Sequence, residues 1–482
     1  MDKDLQSIQE ARDLIHKAKI AQADYAEASQ EQVDELTKAI AKMGEAHAKE
    51  LGRMAAEEVG YGNPQDKYTK NILASRYVYE YIKDMKTRGI LKETDRMIEV
   101  AAPVGVIAGL VPSTNPTSTV LYNSMIALKA GNAIVFSPHP TCTKCITKTV
   151  NLVREVIADQ GFSPDLVSVL PIVTMEATDE LMKNEETKLV LATGGNAMVK
   201  AAYSSGTPAL GVGPGNVPVF IERTADIKEA VRKIMIGKLF DNGLICASEE
   251  SVVVERCIAD EVKAEFERNN CYFVTGEDKE KIASILSNSR GAVNAKAVGR
   301  TPQQLADLAG VKIPEGTKII IGCETEVGPK HPFSREKLNT TLGFYVVDDW
   351  KQGCEKCIEI LHYDGMGHSI GIHTKDKDII REFALKKPVS RMLVNTPTTL
   401  GGVGLSTDLA PAFTLGCGAV GGSATSDNVT PMNLINIKRV AFETNSNYNI
   451  TGQDNSSDEG VTEEVVEKVL RQILKEVADS KF

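Results

Sequence analysis

The feature that most constrains this chain is a repeated alternation between residues 97 and 221. Short apolar runs rich in β-branched residues alternate there with longer stretches of helical spacing. The run 97–112 suits buried strands and is closed by Pro112. Beyond it the pattern predicts a helix over 119–130, a strand over 133–136, a helix over 141–159 and a strand over 166–170. A strand over 188–192, a helix over 197–203 and a strand over 217–221 follow. Strands that alternate with helices in this way can bury both faces only as a parallel sheet covered by helices, so the fold class is α/β. The alternation resumes beyond residue 246, through a strand over 342–347, and predicts a second α/β domain. The 482 residues agree, since a single core rarely serves much more than about 250 residues.

Open α/β sheets bind ligands at the carboxyl edge of their strands, and several candidate residues fall there. Asn115 lies just after the first strand, between polar turn residues and ahead of Pro116, where its amide can donate to an oxyanion; a plain turn asparagine is the other reading. Ser137-Pro138-His139-Pro140 follows the strand ending at Phe136. Thr193-Gly194-Gly195 joins a strand end to a helix start, where bare backbone N–H groups can meet a phosphate. The turn is not a full dinucleotide fingerprint. A second glycine-rich run, 211–216 with Gly213 inside it, leads into the strand at 217.

Cys246 sits in a short connection between the helix predicted over 227–240 and the strand over 251–254. Free cysteines are usually small buried apolar residues. This one has Gly243, Ala247 and Ser248 beside it, small enough for a substrate to reach the sulfur, and backbone N–H groups that can face a developing oxyanion. Glu249 and Glu250 count against a thiolate unless they point away. Later, Glu336 in the polar loop 331–338 can accept from ribose hydroxyls, although an isolated glutamate is more often a solvated surface residue.

Composition narrows the partners. A net charge of -10 gives no electrostatic reason to expect nucleic acid or an anionic membrane, and small ligands fit better. The odd count of nine cysteines suggests free thiols in a reducing compartment, and the N-terminus lacks a signal-peptide layout, so a cytoplasmic protein is expected. Cys142 with Cys145, and Cys354 with Cys357, have the spacing of zinc ligands. Each pair also falls on an apolar helical stripe, the first with Thr149, Val153 and Val156, and helical core is the better reading. His368 and His373 lack a third ligand nearby, so no metal is assigned. Residues 1–56 read as helices with packing stripes at Leu5, Ile8, Ala11 and Ile15 and at Val33, Leu36, Ile40 and Met43.

The chain closes on a polar stretch, 443–460, of linker composition, and then on a detached helix over 461–482. Its stripe of Val461, Val465, Val466, Val469, Leu470, Ile473, Leu474 and Val477 must be buried against something. The alternatives are docking on its own body or binding another protein, and the linker favours the second.

Taken together, residues 111–118, 136–140, 193–195 and 211–216, Cys246 and the loop 331–338 resemble the aldehyde dehydrogenase superfamily. More narrowly they resemble its coenzyme A-acylating branch, the acetaldehyde/propionaldehyde dehydrogenases and the dehydrogenase half of bifunctional aldehyde-alcohol dehydrogenases, over roughly residues 10–442. The resemblance implies a Rossmann-like NAD(H)- and coenzyme A-binding domain over 1–237, with a bridging strand near 97–107. It further implies a catalytic domain over 238–430 and a return segment over 431–442 that supports a homo-oligomer, dimer or tetramer. Cys246 would be the nucleophile, with Asn115 and the Cys246 backbone N–H as oxyanion donors. Ser137, Pro138, His139, Pro140, Thr193, Gly194, Gly195 and Gly213 would line the nucleotide site, and Glu336 would contact the nicotinamide ribose. The tail resembles the encapsulation peptides that load enzymes into bacterial microcompartments, which implies a shell-protein partner and a place in such a lumen.

Hydrolytic relatives carry a glutamate base in the segment matching 211–216, whereas this chain has only glycines, Val212, Pro214 and Asn216 there. None of these takes a proton from water at neutral pH, so a thioester on Cys246 would wait for a thiol, and coenzyme A is the natural acceptor. The expected activity is NAD-dependent oxidation of a short-chain aldehyde, acetaldehyde or propionaldehyde, to its acyl-CoA, without a metal. The alternatives are an acyl-phosphate reductase or hydrolytic dehydrogenase of the same fold, and a non-catalytic cargo protein working through its tail.

Overall fold

The computed structural model describes residues 2–288, 291–444, 464 and 466–472. The chain forms two compact units, Met1–Leu91 with Val100–Lys438, and Lys92–Glu99 with Arg439–Phe482.

Two parallel sheets organise the larger unit. The first has five strands in the order Val167–Val169, Ala133–Pro138, Val106–Val111, Thr187–Thr193, Ala209–Val212, every neighbouring pair parallel. Val106–Val111, first of the five in sequence, sits in the middle and is buried throughout. The strands that follow it in sequence build outward on one side, and Thr187–Thr193 then returns to its other side. That reversal opens a crevice at the carboxyl edge. The run 97–112 is thus two strands, Met97–Pro103 and Val106–Val111. The helix Pro116–Lys129 covers the sheet and is buried at every residue, and Thr143–Asp159 buries Cys145, Thr149 and Val153 as their spacing predicts.

The second sheet has seven parallel strands, ordered Cys271–Val274, Ile319–Cys323, Thr341–Val347, Glu249–Glu255, Val217–Ile221, Gly367–His373, Val389–Val394. The chain therefore changes sheet between Val212 and Val217, ahead of the expected boundary at 237/238. The helix Ile227–Leu239 packs Ala230, Val231, Ile234 and Met235 into the core of the second sheet. Periodicity finds a helix but does not say which sheet it covers. Conversely Val403, Phe413, Leu415, Val429 and Leu434 return to the core of the first sheet.

The cysteine pairs lie in separate cores, Cys142 and Cys145 with the first sheet and Cys354 and Cys357 with the second, so they cannot share one ion. Among the described residues, no group of three or more His, Cys, Asp or Glu is arranged to hold a metal. Among them, too, no helix is long and apolar enough to cross a membrane. The N-terminal helices are Lys3–Tyr25 and Gln30–Val59. The first stripe shifts from the expected one: Leu5 is exposed, and Ser7, Ala11, Ile15 and Ala18 are buried. The second holds for Val33, Leu36 and Ile40, with Met43 half-buried.

A three-stranded sheet is ordered Gly89–Thr94, Met97–Pro103, Ile435–Ala441. Within the smaller unit Arg439 Nε lies 3.1 Å from Glu99 Oε1, and Phe442 N donates to Arg96 O at 3.1 Å. Ile435–Ala441 is exposed along all but its first residue. The expected linker beyond Thr444 and most of the tail helix lie outside the described residues; of the latter, Glu464 and 466–472 are helical.

Candidate active site

The carboxyl edge of the first sheet faces the amino edge of the second. From the first, Val111 runs on to Asn115 and Thr193 runs into Gly194 and Gly195. Into the second, the run 211–216 enters Val217–Ile221 and the Cys246 loop enters Glu249–Glu255. Ile245 and Ala247 on either side of the cysteine are buried in the first core, so the loop spans both domains.

Cys246 is the partly exposed residue in a loop whose neighbours from Gly243 to Glu250 are buried. The loop starts strained, with Asp241 at φ 49° and Asn242 at φ 54°, a left-handed pair costing about 1 kcal/mol or more each. What holds them is a set of buried bonds. Asp241 Oδ1 accepts from Asn63 N at 2.6 Å, and Asp241 N donates to Asp66 Oδ2 at 2.9 Å. Asp241 Oδ2 receives Lys67 Nζ at 3.0 Å and Lys70 Nζ at 2.5 Å. Glu249 and Glu250 do point away. Glu249 accepts from Thr398 N at 2.6 Å, and Glu250 Oε2 lies 3.0 Å from Lys238 Nζ and 3.1 Å from Lys337 Nζ.

Burial pushes the Cys246 thiol up to about 12, Glu336 and Cys417 push the same way, and Arg391 pulls it down. The Arg391 guanidinium is buried, and its hydrogen bonds go to neutral groups, among them Gly416 O at 2.7 Å, His368 O at 3.1 Å and Ser369 Oγ at 3.2 Å. Its charge near the sulfur lacks a carboxylate of its own among these bonds.

Asn115 precedes Pro116 and caps the helix Pro116–Lys129 by position, yet its side chain caps nothing there. Its Oδ1 accepts from Lys70 Nζ at 2.7 Å, and its Nδ2 donates to Thr114 Oγ1 at 3.2 Å. An ammonium has only donors, so this contact fixes which end of the amide is oxygen. One N–H of the amide remains for a substrate oxygen. Lys70 Nζ also donates to Leu244 O at 3.4 Å, two residues before the cysteine. Burial pulls Lys70 down to about 8, while Asp241 favours its charged form.

Gly215 closes the other wall. A Cβ there would stand 1.7 Å from the Cys246 carbonyl oxygen and 3.3 Å from His368 Cε1. Gly215 N donates to Glu336 Oε1 at 2.8 Å. Glu336 is buried, and desolvation, then Asp364 and Glu250, hold its carboxyl well above the usual range. So Glu336, read from sequence as a ribose contact, stands against the glycine run beside the cysteine. His368 escaped sequence reasoning, which weighed it only as a metal ligand. It is fully buried, its Nδ1 lies 3.0 Å from Ser369 Oγ, and its Nε2 lacks a partner among the described residues. Burial and Arg391 keep the imidazole neutral. The glycines at 365, 367 and 371 around it were the available signal, since they mark close backbone packing.

The nucleotide end is plainer. Gly195 sits at the N-cap of the helix Asn196–Tyr203 with nothing within 4 Å of where its Cβ would be, and Gly213 is equally open. Thr193 Oγ1 is buried and unpartnered among the described residues. A bare helix N-terminus beside an orphaned hydroxyl, at the reversal point of a parallel sheet, fits a dinucleotide phosphate and its neighbouring hydroxyls. Ser137 and Pro138 are buried at the end of their strand, with Ser137 Oγ 2.8 Å from Thr178 Oγ1, and His139 and Pro140 are exposed beyond them.

Residues 4–312 match the model of the aldehyde dehydrogenase family. The chain is 42% identical over 443 residues to the bifunctional aldehyde-alcohol dehydrogenase of Escherichia coli (strain K12), covering 90% of this chain and 50% of that protein. It thus spans about half the length of the bifunctional relatives it matches. It is 39% identical over 434 residues to the acetylating succinate-semialdehyde dehydrogenase of Clostridium kluyveri, covering 89% of this chain and 95% of that one. Among solved structures, an acetylating aldehyde dehydrogenase from Geobacillus thermoglucosidasius superposes with a TM-score of 0.91 at 46% identity, over 93% of this chain and 100% of that one. A propionaldehyde dehydrogenase from Rhodopseudomonas palustris, solved with bound CoA and an acylated cysteine, gives 0.80 at 26% identity, over 90% and 97%.

Proposed function

The chain belongs to the aldehyde dehydrogenase family, and from that premise we propose that it is a coenzyme A-acylating dehydrogenase of short-chain aldehydes, working with NAD through a thioester on Cys246. The observation that carries this reading is the contact of Gly215 with Cys246. The position holds no carboxylate, and the Cys246 carbonyl oxygen occupies the space where any side chain would begin. The glycine run therefore offers no base to activate water, and a thiol is the better acceptor of the acyl group.

In this mechanism the Cys246 sulfur attacks the aldehyde carbonyl. The oxygen that gains charge is held by the free N–H of Asn115 and by the Cys246 backbone N–H. Thr193, Gly194, Gly195, Gly213, His139 and Pro140 would hold the phosphates of NAD and orient it, and NAD would supply the hydride acceptor. Glu336, fixed by Gly215 N, would meet the nicotinamide ribose. Coenzyme A then takes the acyl group, the role suggested by the relative solved with bound CoA and an acylated cysteine. His368, neutral and with Nε2 unpartnered, can accept the proton of an incoming thiol.

The aldehyde is acetaldehyde or propionaldehyde, which differ by one methylene, worth about 1 to 3 kcal/mol in an apolar pocket. The exposed strand Ile435–Ala441 is the expected seam of a homo-oligomer. The tail helix, exposing Val466, Val469 and Leu470 in its described part, is the expected address for a microcompartment shell protein.

The test is NADH formation from acetaldehyde and NAD⁺ by the reduced protein, with and without coenzyme A. Turnover sustained only with coenzyme A is expected. Turnover sustained in water alone would mean that another group activates water, and the reading would fail.

A further inference from the structure

Two oxyanion donors on different segments are useful only if they stay in register. Asn115 is on the loop after the first sheet's central strand, and Cys246 on the loop entering the second sheet. One ammonium touches both: Lys70 Nζ donates to Asn115 Oδ1 at 2.7 Å and to Leu244 O at 3.4 Å, with Asp241 Oδ2 at 2.5 Å as counter-charge. It comes from a third element, the helix Pro64–Ile72, and is 1% exposed. Lys67, one turn earlier, reaches Thr114 O at 3.2 Å and the same carboxylate oxygen at 3.0 Å. We propose that Lys70 is a positioning residue for the oxyanion hole, holding the Asn115 amide with its N–H toward the substrate and in register with the Cys246 loop. It touches neither substrate nor sulfur in this role; all three of its donors are directed to the acceptors just named.

The reason for a lysine here is directional. Asn115 at a helix N-cap would otherwise turn its oxygen toward the first-turn backbone N–H groups. Bound by an ammonium, that oxygen is withdrawn, and the opposite end of the amide is left to donate. A charge-assisted bond also polarises the amide and strengthens its N–H as a donor.

The inference rests on the reading of Asn115 as an oxyanion donor, so the test separates the two. Lys70→Met leaves Asp241 its bond to Lys67. Its kcat for aldehyde oxidation should fall about tenfold or more, as expected for a misplaced donor. The KM for NAD and the rate of Cys246 alkylation by iodoacetamide should stay at the parent values, since neither uses the oxyanion hole. In an Asn115→Ala background, Lys70→Met should cost nothing further, because its target is gone. Lys70→Gln, whose amide still donates to Asn115 Oδ1, should recover part of the loss and also serves if the Met variant folds poorly. Unchanged kcat in Lys70→Met, or the same cost with and without Asn115, overturns the proposal. A drop in alkylation parallel to kcat overturns it too, in favour of general loop collapse. Near-normal kcat in Asn115→Ala alone overturns the donor reading, and with it this role for Lys70.

Discussion

At the Cys246 end of the cleft the chain is tied down by buried charge, whereas at the Gly195 end it presents bare backbone. Around Cys246, Asp241 accepts from Lys67 and Lys70, Lys70 reaches Asn115, and Gly215 leaves no space against the cysteine carbonyl. Around Gly195, the open N-cap and the orphaned Thr193 hydroxyl are its polar features. Under the proposed function, the difference follows from what each end would have to do. A nucleophile and its oxyanion donors act only within a narrow geometry, so their supports must be stiff, and buried ion pairs with left-handed residues are tolerated there. A nucleotide must enter and leave, and backbone N–H groups bind it without ordering long side chains.

Four substitutions or titrations break or sharpen that contrast. Cys246→Ala should abolish aldehyde-dependent NADH formation altogether, measured spectrophotometrically, while NAD binding by calorimetry persists; retained turnover would move the nucleophile elsewhere. Asn115→Ala should lower kcat by about 100- to 1000-fold, roughly 2.7 to 4 kcal/mol of transition-state stabilisation, and single-turnover kinetics would show whether hemithioacetal formation is the step affected. The thiol at about 12 sets a sign: the thiolate fraction grows as pH rises. Alkylation of Cys246 should therefore climb about tenfold per pH unit from 7 to 10 without levelling. A plateau below pH 9 would mean that the Arg391 charge dominates the desolvation. At the open end, Gly195→Ala meets nothing within 4 Å, so unfolding by urea should be unchanged and the KM for NAD should rise by only about two- to tenfold, from crowding at the phosphate.

The candidate residues of the first region were legible, but little of the structure that supports them. Cys246 and Asn115 declare themselves by small or turn-forming neighbours beside strand ends, a local signal. Lys67 and Lys70 lie on the helix Pro64–Ile72 and Asp241 at the start of the Cys246 loop, and nothing local in the sequence singles them out. Their pairing joins positions more than 170 residues apart, which no spacing reveals. His368 stayed hidden because its wall is assembled from Gly215, in the connection entering Val217–Ile221, and from Arg391, on the neighbouring strand Val389–Val394, contacts that no local spacing reveals. Glu336 was picked out, but not its bond to Gly215 N.

By itself the sequence determined the α/β class, most of the strands and helices of the first sheet, the parallel order of the two large sheets, and where Cys246 and the glycine turns fall along the chain. These are properties of periodicity and of residues that prefer particular backbone angles, and both act over a few neighbours. Tertiary structure alone decided that the chain changes sheet at 213–216, that Leu5 is exposed while Ser7 is buried, and that Lys70 bonds both Asn115 and the backbone just ahead of Cys246. Burial and ion pairing depend on which distant surfaces meet, and a local pattern carries no record of its partner.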